Sequence, residues 1–350
     1  MSMIRFIIWN ARGIGSRVKL DFLDTEVKKH KAYIVAVLEH KQQPAKLGEF
    51  TWKFGMKGSL HADPTNRHMW IFWKEEVLVD FVEDSDQFIT IKASIGTKSV
   101  FLSMVYGSCD VHRREVLWQD LYAFDLGDSP WFVGGDFNVI SDPVEKKCTA
   151  IFPHAVNLSF VEFIPGTGIL YLGYLGDRFT WCNNQKGGRR CRCQLDRCLA
   201  NLNVIFRFPN TKVAHLIWGI SDHSPLLISM PPNHDGGERF HFRAHWIGSP
   251  GHHHLVSKVW KATSHSFSWV ALHNKLRRLK QILQAWEKGC QSSEQVLDIL
   301  EKEDESLDQS LENALDDTVF EELSRNKSPL EELVLRQEHM AQECVRVKWL

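Results

Sequence analysis

The sequence predicts an α/β fold, a four-layer sandwich in which two packed mixed β-sheets are flanked by helices, followed by a helical C-terminal segment. Within residues 1–230, short apolar or alternating runs greatly outnumber the stretches with helical spacing. Many short strands with few helices favour two sheets packed on each other with the helices outside. Beyond Pro231–Gly237, apolar residues recur at intervals of three and four, which is typical of helices.

Strands are predicted wherever a short apolar or alternating run lies between turn residues. In chain order these runs are Arg5–Trp9, Ile34–Leu38, Met69–Trp73, Val77–Val82, Phe88–Ala93, Val100–Val105, Trp131–Val133, Arg178–Trp181, Gln194–Leu199 and Leu226–Ser229. Helices are predicted where apolar residues follow a period of about 3.6 residues. These segments are Ser16–Lys29, Arg113–Tyr122 and Val156–Phe163.

A domain boundary is predicted at Pro231–Gly237, where two prolines and two glycines occur in seven residues. We expect one folded domain at 1–230, a linker at 231–256 and an α-helical hairpin at 257–350. Two apolar stripes mark the helices of the hairpin: Trp269, Leu272, Leu276, Leu279, Leu283 and Trp286, then Leu300, Leu307, Leu311, Leu315 and Phe320. Packing of these helices on each other or on a following polymerase domain is favoured over a dimerisation coiled coil, and the oligomeric state is left open.

Composition favours a chain with a sizeable core and argues against a strong non-specific DNA binder. Hydrophobic residues make up 43% of the 350 residues, whereas the formal net charge is −1 and the pI is near 7.0. Because the basic excess of charge-driven DNA binders is missing, we expect modest, local affinity for DNA. No signal peptide and no apolar run of about 18 residues is present, which predicts an intracellular protein that is neither secreted nor embedded in a membrane.

A reducing compartment predicts free thiols rather than disulfides for the eight cysteines. Cys182, Cys191, Cys193 and Cys198 cluster, but they lack a C-x-x-C pair. The spacing of Cys191 and Cys193 places both on one face of a strand. Ordinary strand residues are therefore favoured over a zinc site.

Four short motifs place polar residues directly after apolar runs, where a strand would deliver them to the edge of a sheet. The motifs are Trp9-Asn10-Ala11-Arg12-Gly13, Leu38-Glu39-His40-Lys41, Gly134-Gly135-Asp136-Phe137-Asn138 and Ser221-Asp222-His223-Ser224-Pro225. The preceding runs are Ile4–Trp9, Tyr33–Leu38, Trp131–Val133 and His215–Ile220. Each residue taken singly has an ordinary explanation as a cap, a turn or a hydrogen bond, whereas the ordered set favours one active site.

Metal-assisted attack of water on a phosphodiester is the chemistry that these residue types favour. Glu39 and a second acid would hold a hard divalent cation such as Mg²⁺, which prefers carboxylate oxygens. A neighbouring Asp would keep His223 cationic so that it donates to a phosphoryl oxygen, and Asp136 would align or deprotonate the water. The amides of Asn10 and Asn138 would fix water and phosphate by hydrogen bonds.

At these motifs the chain resembles the endonuclease/exonuclease/phosphatase superfamily. Val105-Tyr106, Phe179-Thr180-Trp181, Gln194–Asn201 and Ser221–Leu227 are further similar to the endonuclease domain of plant LINE-type (non-LTR) retrotransposon polyproteins. The likeness spans residues 3–230, and Arg239–Trp246 resembles the linker of those polyproteins. The resemblance implies a DNA endonuclease that uses Mg²⁺ or Mn²⁺ and leaves a 3′ hydroxyl.

The resemblance also implies a role for each site residue. Glu39 would be the principal metal ligand, with Asn10 and Asp222 beside it. Asp136 would position the water. The remaining residues would surround the phosphate, with Asn138 and His223 holding it, Tyr106 supporting it or the leaving group, and Asp196 pairing with His223.

In an intact element the 3′ hydroxyl would prime reverse transcription of the element RNA at the target. DNA would then be the substrate, with the RNA and the reverse transcriptase as partners, and the location would be nuclear or otherwise cytoplasmic. No Tyr-x-Asp-Asp motif of a reverse transcriptase occurs in the 350 residues. We therefore expect a fragment, a truncated reading frame or a decayed element.

Three positions depart from the family pattern. Arg12 stands where the DNA-repair branch of the superfamily has an acid, which favours the retrotransposon branch. His40 follows Glu39 where the relatives have a small residue or Pro, and Tyr171 stands where plant relatives have Asp. None of the proposed site residues is lost.

The tract Asn183–Arg192 is predicted to contact DNA. It joins two predicted strands, has Gly-Gly at its tip and carries four cations that would neutralise phosphates. The predicted DNA contacts are Lys186, Arg189, Arg190 and Arg192, together with Thr180 of the Phe179-Thr180-Trp181 match. A solvated basic turn without a ligand is the alternative.

Two further functions stay open. One is a superfamily phosphatase that acts on a small phosphorylated substrate such as an inositol phosphate, which the basic tract argues against. The other is a catalytically silent remnant that serves at most as a binding module.

Overall fold

The computed structural model describes residues 3–62, 66–124, 126–148, 157–185, 189–208, 210–217 and 220–231, together with 246–247, 252–261, 279–280 and 283. The chain divides into two compact units, Met1–Asn233 and His234–Leu350. Apart from residues 279 and 283, the two predicted helical stripes of the second unit lie outside the described residues.

The described elements follow one another in chain order: β1 (Ile4–Asn10), α1 (Arg17–His30), β2 (Ile34–Leu38), a 3₁₀ turn (Pro44–Lys46), α2 (Leu47–Lys53), β3 (Gly58–Ala62), β4 (Asn66–Trp73), β5 (Leu78–Asp84), β6 (Phe88–Ile95), β7 (Lys98–Tyr106), α3 (Val111–Tyr122), β8 (Trp131–Asp136), a second 3₁₀ turn (Pro143–Glu145), β9 (Lys146–Cys148), α4 (Leu158–Gly166), β10 (Ile169–Tyr171), β11 (Trp181–Cys182), β12 (Cys191–Cys193), β13 (Asp196–Asn201), α5 (Leu202–Arg207), β14 (Lys212–His215), β15 (Leu226–Met230) and α6 (His252–Lys261).

Two six-stranded mixed sheets form the first unit. Their strand orders are β14-β15-β1-β2-β4-β3 and β10-β13-β8-β7-β6-β5. In the first sheet β1 runs parallel to β2, and in the second β7 runs parallel to β8. The carboxyl ends of each parallel pair therefore lie side by side, one pair in each sheet.

Burial on both faces explains why β1 and β2 are nearly continuous apolar runs. Phe6 and Ile8 of β1 point into the core between the sheets, where Phe6 meets Phe132 of β8 edge to face. Ile7 and Trp9 of the same strand point the other way, into a second core that also contains Leu23 and Val27 of α1 and Phe50 of α2. The first sheet is thus buried between the second sheet and helices.

On the outer face of the second sheet, an aromatic cluster joins α3 and α4. Trp118 of α3 lies 5.0 Å from both Phe160 and Phe163 of α4, measured between ring centroids. Phe137, directly after β8, packs against Trp118 and Phe160. Two sheets with helices on both outer faces form the predicted four-layer α/β sandwich, which is therefore confirmed.

A third, three-stranded sheet carries the basic tract as a hairpin of β11 and β12, with β9 on the other side of β12. Cys148 and Cys191 lie opposite each other in this register and form a disulfide. The prediction of free thiols is wrong for these two residues, because the pairing joins strands 43 residues apart in sequence. The other described cysteines, Cys109, Cys182, Cys193 and Cys198, are free.

Two sequence predictions of local structure fail near the site. Only Trp181 of the predicted strand Arg178–Trp181 is in a strand. The Thr180 hydroxyl instead accepts the backbone N–H groups of Leu195 and Asp196, and its backbone bonds Cys193 and Ser224. The run His215–Ile220 does not lead into Ser221–Pro225 as a strand, because β14 ends at His215. His223 is instead delivered by the loop that precedes β15.

In the second unit, α6 begins at His252, inside the segment predicted as a linker. Among the described residues, no helix has the length and apolar character needed to cross a membrane.

Candidate active site

The predicted site residues from both sheets meet where the two parallel strand pairs end. Asn10 is the last residue of β1 and lies opposite Leu38, the last residue of β2, so Glu39 follows immediately. In the second sheet the last residues of β7 and β8, Tyr106 and Asp136, lie opposite each other. The sheet packing brings these two edges together.

The Asn10 side chain joins the two edges. It is fully buried, and its amide nitrogen donates to Glu39 Oε1 at 3.0 Å and to Asp136 Oδ2 at 2.9 Å. Its amide oxygen accepts the backbone N–H of Arg12 at 3.1 Å. These three bonds fix the orientation of the amide, so one asparagine spaces two carboxylates from different sheets.

Glu39 lies in a left-handed backbone conformation, with φ +46°, that turns its side chain toward Asn10. Burial disfavours its charge, but hydrogen bonds from Asn10, Lys41 and Tyr106 outweigh burial and lower the pKa of Glu39. Burial and the negative charge of Glu39 together raise the pKa of Tyr106. At neutral pH the site therefore contains an ionised Glu39 beside a neutral Tyr106 hydroxyl.

The glycine before Asp136 allows the carboxylate to be placed here. Gly135 has φ +140°, and a Cβ on it would lie 2.1 Å from the carbonyl oxygen of Val105. After Asp136, Asn138 adopts φ +49° and donates its side-chain amide to the Gly107 carbonyl at 2.7 Å. The Asn138 backbone N–H donates to Asp136 Oδ1 at 2.9 Å, so Asn138 supports the carboxylate in this structure.

His223 lies between two carboxylates that come from adjacent strands. Asp136 and Asp196 are opposite each other in the β8–β13 register. His223 Nδ1 contacts Asp196 Oδ2 at 2.9 Å, and His223 Nε2 lies 3.7 Å from Asp136 Oδ2. Thr180 orients Asp196, since its hydroxyl accepts the Asp196 backbone N–H at 2.9 Å.

Burial and neighbouring charges shift the pKa values of His223 and Asp136 in opposite directions. Although burial disfavours the imidazolium, Asp196 and Asp136 outweigh it and raise the pKa of His223 to about 9. Burial also raises the pKa of Asp136, against the lowering effect of cationic His223. His223 is thus protonated at neutral pH, with its Nδ1 proton directed to Asp196.

Asp222 lies beside His223 and is held by three donors. Trp181 Nε1 donates to Asp222 Oδ2 at 3.2 Å, and Ser221 Oγ donates to Asp222 Oδ1 at 3.3 Å. The third donor is the Arg12 guanidinium, whose Nη1 bonds Asp222 Oδ2. The Nε of the same guanidinium lies 3.9 Å from Glu39 Oε1, so Arg12 spans the two carboxylates.

The donor set predicted for a metal suits a hard divalent cation, because Glu39, Asp222 and Asn10 offer carboxylate and amide oxygens. In the structure the Arg12 guanidinium contacts Glu39 Oε1 and Asp222 Oδ2, and the Arg12 backbone N–H bonds the Asn10 oxygen. The residues therefore fit such an ion by chemistry, but the Arg12 side chain has to move before the ion can lie between the carboxylates.

A second group of possible metal ligands lies deeper. One ligand atom each of Asp136, Asp196 and His223 lie within 4.8 Å of one another, and all three residues are buried. This group could bind a metal. The Asp196–His223 hydrogen bond and the raised pKa of His223 favour a proton on His223 there instead.

A buried ion pair supports the loop after Asn138. Arg197, in β13 next to Asp196, bonds the Glu145 carboxylate, and both side chains are almost completely buried. Arg197 also donates to the carbonyl of Val139 at 2.7 Å. Sequence reasoning missed this pair, although an Arg next to a proposed catalytic Asp within a strand was a usable signal.

The residues predicted to contact DNA differ in their exposure. Arg189 is exposed, and Arg192 lies over the Phe179 ring at 5.1 Å. Lys186 lies outside the described residues. Thr180 is fully buried and binds the backbone of Leu195 and Asp196, whereas its contact with DNA stays a prediction.

No family model and no curated protein matches the chain. Solved structures similar to it include the endonuclease domain of TRAS1, a telomere-specific non-LTR retrotransposon, with 14% identity over 66% of this chain and 100% of that one, at a TM-score of 0.48. An AP endonuclease from Leishmania major has 13% identity over 65% of this chain and 88% of that one, at a TM-score of 0.49. An AP endonuclease from Archaeoglobus fulgidus has 19% identity over 64% of this chain and 98% of that one, at a TM-score of 0.46.

Proposed function

We propose that this protein is a DNA endonuclease that depends on a divalent cation and leaves a 3′ hydroxyl at the nick. One observation carries the proposal: the Asn10 amide donates to both Glu39 and Asp136, and Asp136 borders the His223–Asp196 pair. A cation ligand, a group that orients water and a proton donor thus lie in one row. Hydrolysis of a phosphodiester needs these three functions side by side.

The protein residues divide the work by their charge. Asp136 is a buried carboxylate whose oxygens are already oriented by Asn10 and Asn138, so it holds the attacking water and accepts its proton. His223 carries a proton that it offers to a non-bridging phosphoryl oxygen, and Asp196 keeps the imidazolium in place. Water oxygen bonds phosphorus as its proton passes to Asp136, the bond from phosphorus to O3′ breaks, and O3′ takes a proton from solvent to leave as a hydroxyl. Asp136 then releases its proton to solvent, so the site returns to its starting state.

The ion would be held by Glu39, with Asp222 and the Asn10 oxygen beside it. When bound, Mg²⁺ or Mn²⁺ supplies Lewis-acid stabilisation of the charge that develops on the phosphate and the leaving oxygen. Tyr106 stays neutral next to Glu39, and its hydroxyl, which donates to Glu39 here, would turn to the same phosphate when Glu39 binds the ion.

We further propose that the domain derives from a plant LINE-type retrotransposon, acts in the nucleus, and in an intact element works with the element RNA and a reverse transcriptase. The order of the sequence motifs and the basic β11–β12 hairpin support this origin and argue for DNA rather than a small phosphorylated substrate.

Nicking of supercoiled plasmid by the full chain tests the function. Open circles are expected with Mg²⁺ or Mn²⁺ and not with EDTA, and a DNA polymerase should extend the nicks because they carry a 3′ hydroxyl. Glu39→Gln should abolish nicking while DNA binding persists, whereas Glu49→Gln, on an exposed position of α2, should not change it. Nicking by Glu39→Gln at the wild-type rate would refute the proposal.

A silent remnant is the second candidate, and one observation favours it. Arg12 and Lys41 both lie against Glu39, with Lys41 Nζ 3.3 Å from Glu39 Oε2. These two cationic side chains next to the principal metal ligand disfavour binding of a divalent cation. Absence of nicking at millimolar Mn²⁺ would therefore support the silent remnant.

A further inference from the structure

We propose that Arg12 is a built-in competitor of the divalent cation: its guanidinium holds Glu39 and Asp222 together until the ion displaces it, and so sets the ion concentration at which the site fills. This inference rests on the proposed function. It adds a residue that regulates the occupancy of the same site.

The position of the guanidinium is the first observation. Glu39 follows β2 and Asp222 precedes β15, and the Arg12 side chain contacts both carboxylates. A divalent cation coordinated by the same two carboxylates would occupy the space between them. Arg12 and the ion cannot both hold that position, because they use the same oxygens and carry charge of the same sign.

The Arg12 backbone is fixed while its side chain can leave. The Arg12 N–H donates to Asn10 Oδ1, the neighbouring Gly13 N–H donates to the Glu39 carbonyl at 2.7 Å, and Lys19 Nζ donates to the Ala11 carbonyl at 2.6 Å. The Arg12 side chain, in contrast, is 46% exposed. It can therefore swing into solvent without any change in the strand ends that carry the site.

The carboxylates keep their other partners when Arg12 is removed. Asp222 retains Trp181 and Ser221, and Glu39 retains Asn10 and Lys41. Truncation of Arg12 thus leaves both ligands aimed as before, and it raises the net negative charge of the site by one. A divalent cation should bind this variant more tightly.

The proposal predicts that Arg12→Ala binds Mn²⁺ on the order of tenfold more tightly than the wild type, because one partly screened like charge is removed from the ligand oxygens. Arg12→Gln, which keeps a polar side chain but no charge, should also bind the ion more tightly. Arg17→Ala is the matched control: it removes the same charge from a side chain that is 91% exposed and pairs with Asp21 on α1.

Binding is measured on the full chain, without DNA, by isothermal titration calorimetry with MnCl₂ and by the electron paramagnetic resonance signal of free Mn²⁺. The midpoint temperature of unfolding should begin to rise at a lower Mn²⁺ concentration in the two Arg12 variants than in the wild type or Arg17→Ala. Adding Glu39→Gln to Arg12→Ala should abolish the gain. If Arg12→Ala does not fold, Arg12→Gln decides the result.

Three outcomes are distinguishable. Tighter Mn²⁺ binding by the Arg12 variants alone supports the proposal. Equal affinity in the wild type and the Arg12 variants, with loss of binding in Glu39→Gln, refutes the role of Arg12 and leaves the proposed function intact. If no variant binds the ion, or if Glu39→Gln binds it as the wild type does, the ion-dependent function fails and this inference fails with it.

Discussion

The Arg197–Glu145 ion pair should be the most costly single polar interaction to break near the site. Arg197→Met keeps much of the side-chain volume but leaves Glu145 as an unpaired carboxylate, and the exposures of the two side chains are 1% and 3%. Removing one partner of such a buried pair costs about 3–5 kcal/mol. The carbonyls of Val139 and Gln194 also lose their Arg197 donors, at about 1 kcal/mol each.

Glu145 limits the cost, because it still accepts from the Ser141 N–H at 2.6 Å and from Ser141 Oγ at 2.7 Å. We therefore expect the free energy of unfolding to fall by about 4 kcal/mol. Urea unfolding, monitored by tryptophan fluorescence, measures this change in the free energy of unfolding. The double variant Arg197→Met/Glu145→Leu should lose much less free energy of unfolding than the two single variants together, because the unpaired buried carboxylate is then absent.

Arg113→Met is the control, because Arg113 and Asp86 form an ion pair whose side chains are 61% and 44% exposed. Its cost should stay below about 1 kcal/mol. A cost for Arg197→Met no larger than that of Arg113→Met would show that burial of the pair does not determine its contribution.

Three further results are expected. Gly135→Ala should lower the free energy of unfolding by about 2–4 kcal/mol, since its Cβ would meet the Val105 carbonyl at 2.1 Å with φ +140°; a cost below about 1 kcal/mol in urea unfolding would contradict this. Burial lowers the pKa of His215 to about 4 from 6.5, so the unfolded chain takes up the proton first and stability falls between pH 6.5 and 4 by up to about 3 kcal/mol; unfolding of His215→Phe across that range should lack this component. Replacing the four cations of the hairpin, Lys186, Arg189, Arg190 and Arg192, by alanine should lower the slope of the logarithm of the duplex-binding constant against the logarithm of salt concentration by up to about four. Nicking of bound DNA should not change. An unchanged slope would exclude the hairpin as the DNA contact.

Local sequence was informative wherever a strand ends in the site. The runs that end at Trp9, Leu38 and Val133 are apolar because both faces of β1, β2 and β8 are buried, and the next polar residues can only lie at the sheet edges. The number of short strands therefore predicted the sandwich, and the polar residues that end these runs were predicted to meet.

The failures have a different physical origin. Thr180 and Arg12 have roles set by partners far away in sequence: Thr180 binds the backbone of Asp196, and Arg12 contacts Asp222. The disulfide between Cys148 and Cys191 likewise follows from the β9–β12 register. No periodicity or composition of a short segment specifies such pairings, because they depend on the relative register of strands that are distant in the chain.

The Asn10 amide shows why the fold and the site cannot be separated. The two parallel strand pairs each bring a carboxylate to the same edge, Glu39 from the first sheet and Asp136 from the second, and the sheets pack so that both reach Asn10. A carboxylate in place of this amide would put three like charges in hydrogen-bond contact and would strongly disfavour ionisation of at least one of them. An apolar side chain would take one hydrogen-bond donor from each of the two carboxylates. Only a neutral donor with two N–H groups keeps Glu39 and Asp136 ionised and correctly spaced, so the same two hydrogen bonds stabilise the packing of the sheets and set the charge that the proposed hydrolysis requires.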